Sequence, residues 1–118
     1  MERHFTRAEI TDLLNEALMV EGIILIPCQK TFSVVSADKI DPKLIPLIEL
    51  KDLARSPRTA LVEVVIPFES DLPAEEVGVE LKKLVTPFGD VVSVKDKSIR
   101  VRDTAANIQR IRMTIAPL

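Results

Sequence analysis

Tryptophan and tyrosine are absent from this sequence, and its only aromatic side chains are four phenylalanines. A core built from it must therefore be aliphatic, and little is available to stack on nucleic-acid bases. Cysteine occurs once, as Cys28, which excludes an intrachain disulfide and a cysteine-based metal cluster. A lone thiol of this kind is expected to serve as a small structural residue. His4 is the only histidine; it lies near a terminus, where solvent exposure is expected. Most catalytic triads need a histidine within the fold, and none is present. The three glycines, Gly22, Gly78 and Gly89, stand too far apart for a G-x-x-x-x-G-K-[ST] phosphate loop or a G-x-G-x-x-G fingerprint. A basic excess is lacking too: sixteen Lys and Arg stand against eighteen Asp and Glu, which argues against a dedicated nucleic-acid binder. No apolar run approaches the ~18 residues of a membrane span. The opening "MERHFTRAEI" has no hydrophobic signal-peptide core, so the expectation is a cytoplasmic protein or a piece cut from a longer chain.

What is present is a core's worth of aliphatic residues. Hydrophobic residues make up 47% of 118, which suits one domain or two very small ones. "FTRAEITDLLNEALMVEG" reads as a helix: Thr6 and Glu9 make a capping-box pattern, and Gly22 suits the stop. Ile10, Leu13, Leu14, Ala17 and Leu18 fall on one face and are expected to be buried. "IILIP" and "TFSVV" follow as strands around a turn at Cys28, Gln29 and Lys30. The same order recurs later. "DLPAEEVGVELKKLVTPFG" reads as a helix with Pro73 in its first turn, an apolar face of Val77, Leu81, Leu84, Val85 and Phe88, and a stop at Pro87 and Gly89. "VVSVK" and "SIRVR" then form a hairpin around Asp96. At an offset of 67 residues Gly22 meets Gly89, Ile24 meets Val91, Phe32 meets Ile99 and Val34 meets Val101. Two copies are too few for a solenoid, so tandem small α+β modules are the better reading.

The second copy has additional elements. "ALVEVVIPF" before it is a strand with Val62, Val64, Ile66 and Phe68 on one face. "DTAANIQRIRMTI" after it is a helix capped by Asp103 or Thr104, with Ala105, Ile108, Ile111 and Ile115 on one face. The order strand, helix, strand, strand, helix defines an α+β module over residues 60–118. Residues 37–59 read as a partly apolar connector broken by Pro42, Pro46 and Pro57, with "LIEL" extended and "KDLARS" a helical turn. Residues 1–36 are a helix–strand–strand piece, small to fold alone, which looks like a fragment of a domain of the same kind.

Carboxylates lie at helix starts and on polar helix faces. The Glu76 and Glu80 pair could hold a metal only weakly, with no His or Cys beside it, and is read as a solvated helix face. No cofactor and no enzymatic activity are therefore expected. Strand–helix–strand–strand–helix orders resemble K-homology-like folds, some of which bind RNA through a G-x-x-G loop. No two glycines here stand three apart, so a stand-alone nucleic-acid-binding domain is the alternative reading rather than the first. Charge is unevenly placed: residues 60–90 carry seven acidic side chains against two lysines, and residues 91–118 carry six basic against two acidic. A head-to-tail contact would set acidic Glu75, Glu76 and Glu80 of one copy against basic Arg100, Arg102, Arg110 and Arg112 of the next.

The run from Val62 to Ile115 resembles the short repeated N-terminal domain of bacterial secretins. The resemblance rests on Ala74–Val77, Leu81 and Leu84 in the helix, on Pro87–Gly89, on Ile99–Asp103 in the last strand, and on Asn107–Ile111 in the closing helix. Residues 5–35 are similar, with less specific motifs, to the end of the preceding secretin domain. One departure is that Lys97 and Ser98 stand where an Asn or similar residue commonly leads the last strand. The resemblance implies a non-catalytic module of an outer-membrane ring used in type II or type III secretion or in type IV pilus export. It implies a periplasmic location in such a complex. It also implies partners: other copies of itself, and inner-membrane components or exported proteins. Nucleic acid is not implied, nor is membrane insertion by this segment.

Overall fold

The computed structural model describes residues 4–69, 71–95 and 97–115, with the side chains of Lys95 and Ile115 outside the described set. The expected turn at Asp96 and the place of Ile115 on its helix face therefore lie outside the described residues. The chain runs α1 (Arg7–Leu18), β1 (Ile23–Pro27), β2 (Phe32–Ser36), β3 (Leu61–Pro67), α2 (Ala74–Lys82), β4 (Asp90–Lys95), β5 (Ser98–Thr104) and α3 (Ala105–Ile115). Short 3₁₀ turns stand at Met19–Glu21, Ala37–Lys39, Pro42–Leu44 and Leu50–Arg55. The molecule is a small α+β protein with a two-stranded and a three-stranded antiparallel sheet.

The three-stranded sheet has the order β3-β5-β4 and follows from alternation along each strand. Val62, Val64 and Ile66 of β3, Val91 of β4, and Ile99 and Val101 of β5 point to one face and are buried. α2 packs mainly on β4, and α3 on β5, β3 and the Leu50–Arg55 turn. Ala74, Val77 and Leu81 of α2 and Ala105, Ile108 and Ile111 of α3 close that core. Each buried Val, Leu or Ile among them contributes about 1.5–3 kcal/mol by leaving water. Leu53 of the connector joins the same cluster. "LIEL" is extended at its start: Leu47 bridges Glu63 in parallel, with Ile48 N donating to Glu63 O at 2.9 Å and Glu63 N to Pro46 O at 2.9 Å.

Two expectations about the second helix change. It starts at Ala74 with Pro73 as its N-cap, and it ends at Lys82, capped by Lys83. Phe88 therefore leaves the helix and enters a second core with Ile24, Ile26, Ile45 and Leu61. Gly89 is not a left-handed helix stop. It is required by a close approach: a Cβ there would lie 2.5 Å from Asp103 Oδ2 and 2.8 Å from Val85 Cβ. Gly22, by contrast, does take the left-handed conformation expected of a stop, with φ 75°.

The two copies of the repeat share element order but not packing. In the first hairpin Ile24 pairs with Val35, whereas in the second Val91 pairs with Val101. A register shift between Ser93 and Lys95 moves the later strand by one residue, which flips the faces that the gap-free alignment equates. Ile99 and Val101 are buried, while Phe32 and Val34 are 40% and 69% exposed. The inner face of the first hairpin is covered by residues from elsewhere: Leu61 and Phe88 from the second unit and Ile45 from the connector.

α1 departs furthest from expectation. Its capping box forms as read, with Glu9 N donating to Thr6 Oγ1 at 3.1 Å and Thr6 N to Glu9 Oε1 at 3.3 Å. Its apolar face, however, is not buried: Ile10, Leu13 and Leu14 are about half exposed, at 47%, 50% and 48%. The buried residues of α1 are Thr11, Asp12 and Asn15. The physical reason is that the hairpin's apolar face is already taken, so the helix docks by polar contacts at the hairpin's edge.

Candidate interaction surfaces

Two buried polar constellations organise the molecule. The first clasps the second unit. Asp103, fully buried at the end of β5, accepts hydrogen bonds from Thr86 N (2.9 Å), the Thr86 hydroxyl, Thr104 N (2.8 Å) and Asn107 Nδ2 (2.8 Å). Asn107 Nδ2 also donates to Leu84 O at 3.0 Å, and Phe88 N donates to Thr86 Oγ1 at 3.2 Å. The carboxylate thus ties the loop after α2 to the β5–α3 junction, and Gly89 leaves it room. Of the two cap candidates, Thr104 takes the cap role, its hydroxyl accepting from Asn107 N at 3.4 Å. With every site of the carboxylate directed to a structural donor, Asp103 is occupied in holding the fold.

The second constellation latches α1 to the rest. Asp12 Oδ1 accepts from Thr59 N at 3.1 Å and from the Thr59 hydroxyl. Asn15 Nδ2 donates to Thr59 Oγ1 at 3.0 Å. Asn15 also meets the free edge of β1 as a neighbouring strand would: its Oδ1 accepts from Leu25 N at 2.8 Å and its Nδ2 donates to Leu25 O at 3.5 Å. Arg58 Nε donates to Glu16 Oε1 at 2.7 Å, and this carboxylate raises the Arg58 pKa above the usual guanidinium value. At the other end Arg7 donates to the turn carbonyls of Cys28 (3.3 Å), Gln29 (3.5 Å) and Thr31 (3.3 Å), with its guanidinium 4.7 Å from the Phe32 ring centre. An apolar cleft of about 300 Å³ beside the latch is lined by Ala8, Leu25, Pro27, Pro57 and Ala60, with Asp12 at its wall. Sequence reasoning missed both constellations. The polar spacing of Asp103 and Asn107, four apart at a strand–helix junction, was the available signal for the first; the second joins residues more than forty apart.

The residues expected at a subunit contact are distributed over two faces. Glu75, Glu76 and Glu80 are exposed on α2, at the β4 side of the helical layer, and Glu80 pairs with Lys83 at 3.3 Å. Arg110 and Arg112 are exposed on α3, toward β3 and β5. Arg100 and Arg102 lie on the opposite, outer face of the sheet, since Ile99, Val101 and Asp103 take the inner one. Arg100 Nε is 2.6 Å from Glu63 Oε1. Arg102 stands in a row between Glu63 and Asp90, its Nε buried without a hydrogen-bond partner. The four arginines are therefore not one patch, and Arg100 already has an intramolecular carboxylate.

Cys28 is partly buried, its thiol 3.5 Å from Ser33 Oγ, and His4 is exposed. Among the described residues no group of three or more His, Cys, Asp or Glu side chains could hold a metal ion. No described helix is long and apolar enough to cross a membrane.

No family model matches this chain, and no curated protein matches it. Among solved structures it is similar to the N-terminal domain of the secretin XcpQ from Pseudomonas aeruginosa, at 19% identity and a TM-score of 0.43, over 94% of this chain and 43% of that one. A dimeric cysteine mutant of the same domain is similar at 17% identity and a TM-score of 0.43, over 97% of this chain and 44% of that one. The chain thus spans less than half the length of the structures it matches, and no residue role is carried over from so remote a likeness.

Proposed function

We propose that this chain is a non-catalytic assembly module of a secretin-like outer-membrane channel, working in the periplasm. Residues 60–118 are the module, residues 37–59 a connector packed against it, and residues 1–36 the end of a preceding domain. The observation that carries the reading is the Asp103 clasp. Gly89, Asp103 and Asn107, on which the resemblance to secretin N-terminal domains rests, converge in one buried structural constellation inside a strand–helix–strand–strand–helix unit. A motif that builds a scaffold fits a protein whose work is done by its surfaces. The K-homology-like arrangement of that unit is part of the same reading.

The partners are other copies in a ring, and beyond them inner-membrane components or exported proteins. Glu75, Glu76 and Glu80 on the α2 flank meet Arg110 and Arg112 on the α3 flank of the next copy, while Arg100 and Arg102, on the opposite face of the sheet, stand outside that contact. Acidic and basic flanks at opposite sides of the helical layer suit a heterologous contact, which can close into a ring. Charge of this kind sets register and encounter more than affinity. The test is sedimentation at low ionic strength of Arg110→Glu with Arg112→Glu, of Glu75→Arg with Glu76→Arg, and of the two sets mixed. Weakened association in each and recovery in the mixture are expected. Association indifferent to all three, or tight RNA binding by the unaltered chain, contradicts the reading.

A further inference from the structure

Four strand edges border the two sheets, and three of them are closed. On β1, Leu25 N and O are taken by the Asn15 side chain, and Pro27 has no N–H to offer. On β3, Glu63 N donates to Pro46 O and Glu63 O accepts from Ile48 N, so the connector already pairs with that edge. On β4, Val91 N donates to the Asp90 carboxylate at 2.9 Å, and the register shift between Ser93 and Lys95 interrupts the strand. Proteins close strand edges in such ways against unwanted pairing. β2 carries none of these devices: Phe32–Ser36 has no charge and no proline, and it keeps register with β1 throughout. Because Leu25 N points away from β2, alternation turns the N–H and C=O groups of Phe32, Val34 and Ser36 to the open side. No described residue hydrogen-bonds to them there, and the Phe32 and Val34 side chains are exposed.

The second unit has the corresponding edge filled. At the offset of 67 residues Phe32 and Val34 align with Ile99 and Val101, which pair with Ile66 and Val64 of β3. β3 runs antiparallel to β5 and ends beside the hairpin turn, where Phe68 N donates to Lys97 O and Lys97 Nζ to Leu72 O. Residues 68–73 then lead into α2. α1 likewise begins at its own hairpin turn, with Arg7 donating to the Cys28, Gln29 and Thr31 carbonyls. Chain entering α1 therefore arrives at the Phe32 end of β2, which is the end where an antiparallel strand on β2 finishes. We infer that β2 receives, antiparallel, the strand that leads into α1 in the intact polypeptide, as β5 receives β3. The offset of 67 sets residues 68–73 on residues 1–6 and β3 on the positions just ahead of them. This pairing rests on the reading of residues 1–36 as the end of a preceding domain, and the strand closes that domain's sheet. The occupant is apolar at alternate positions, as Val62, Val64 and Ile66 are, because Phe32 and Val34 offer it an apolar flank.

The experiment is amide hydrogen exchange of residues 1–118 and of the intact polypeptide encoded by the same gene. In residues 1–118 the Val34 amide should exchange as an open strand edge does. In the intact polypeptide it should slow at least ~10-fold, one decade in the opening equilibrium, at every protein concentration. Val34→Pro removes the outward N–H and leaves the ladder to β1 in place. It should lower the unfolding midpoint more in the intact polypeptide than in residues 1–118. Val34→Lys keeps the backbone and sets a charge on that edge, and it should show the same difference between the two lengths. A Val34 amide equally fast at both lengths, or an equal cost of both substitutions at both lengths, would overturn the pairing. So would protection in residues 1–118 that grows with concentration, which is a second copy on the edge, or an intact polypeptide that starts at Met1. Sedimentation of the charged-flank variants reads α2 and α3 and not this edge. Association indifferent to those variants, with Val34 protected, removes the ring contact and keeps the strand.

Discussion

The two helices that precede the two hairpins, α1 and α2, have similar amphipathic sequences and opposite fates. α2 buries Ala74, Val77 and Leu81 on the three-stranded sheet. α1 buries Thr11, Asp12 and Asn15 and leaves its leucines outside. The difference lies in what each hairpin has to offer. β4 and β5 are extended by β3 into a sheet broad enough to receive two helices. β1 and β2 form a sheet of two strands, and their inner face is spent on Leu61, Phe88 and Ile45. Amphipathicity therefore states which side of a helix is apolar, and the neighbouring surface decides whether that side is used.

This contrast can be broken at four points, in descending order of effect. Asp103→Ala removes a fully buried acceptor and strands the donors of Thr86, Thr104 and Asn107; a loss of about 3–5 kcal/mol is expected by denaturant unfolding. Asn15→Ala leaves the Leu25 N–H without its acceptor and removes one donor from Thr59, which keeps its bonds to Asp12, and should cost about 1–3 kcal/mol, concentrated in α1 and the first hairpin. Lys97 holds a left-handed φ of 67°, a conformation that favours glycine over a residue with a side chain. Lys97→Gly is therefore expected to stabilise by up to about 1 kcal/mol, read as a raised unfolding midpoint. Leu13→Ser, at the centre of the outward apolar face, should change stability by no more than about 0.5 kcal/mol. A large loss there, measured at a concentration where the chain is monomeric, would mean that the face is packed within the molecule.

Much of the fold was legible because it rests on local chemistry. Thr6 and Glu9 announced the capping box, Gly22 the left-handed stop, and the alternation of Val62, Val64 and Ile66 the buried side of β3. What could not be read depends on distant or cumulative geometry. The shift between Ser93 and Lys95 leaves no mark in composition, yet it puts Val101 inside while the aligned Val34 points out. Gly89 looked like a helix stop because glycine after a helix usually is one; the carboxylate that excludes a Cβ there is fourteen positions away. Asn15 and Thr59 are polar residues whose partnership exists only once the chain has closed between them. The candidate subunit contact was legible as charge, but β-strand alternation and the Glu63 pair divide its arginines between two faces.

Hydrogen exchange at the backbone amide of Leu25 tests the inverted docking of α1 most directly. This N–H points away from β2 along the open edge of β1, where an unpaired amide exchanges freely, and its acceptor is the Asn15 side chain at 2.8 Å. Protection of Leu25 in the unaltered chain, lost in Asn15→Ala while the amides of β5 keep theirs, is the expected result. A Leu25 amide that exchanges as fast as a free strand edge in the unaltered chain would contradict a helix held by its polar face.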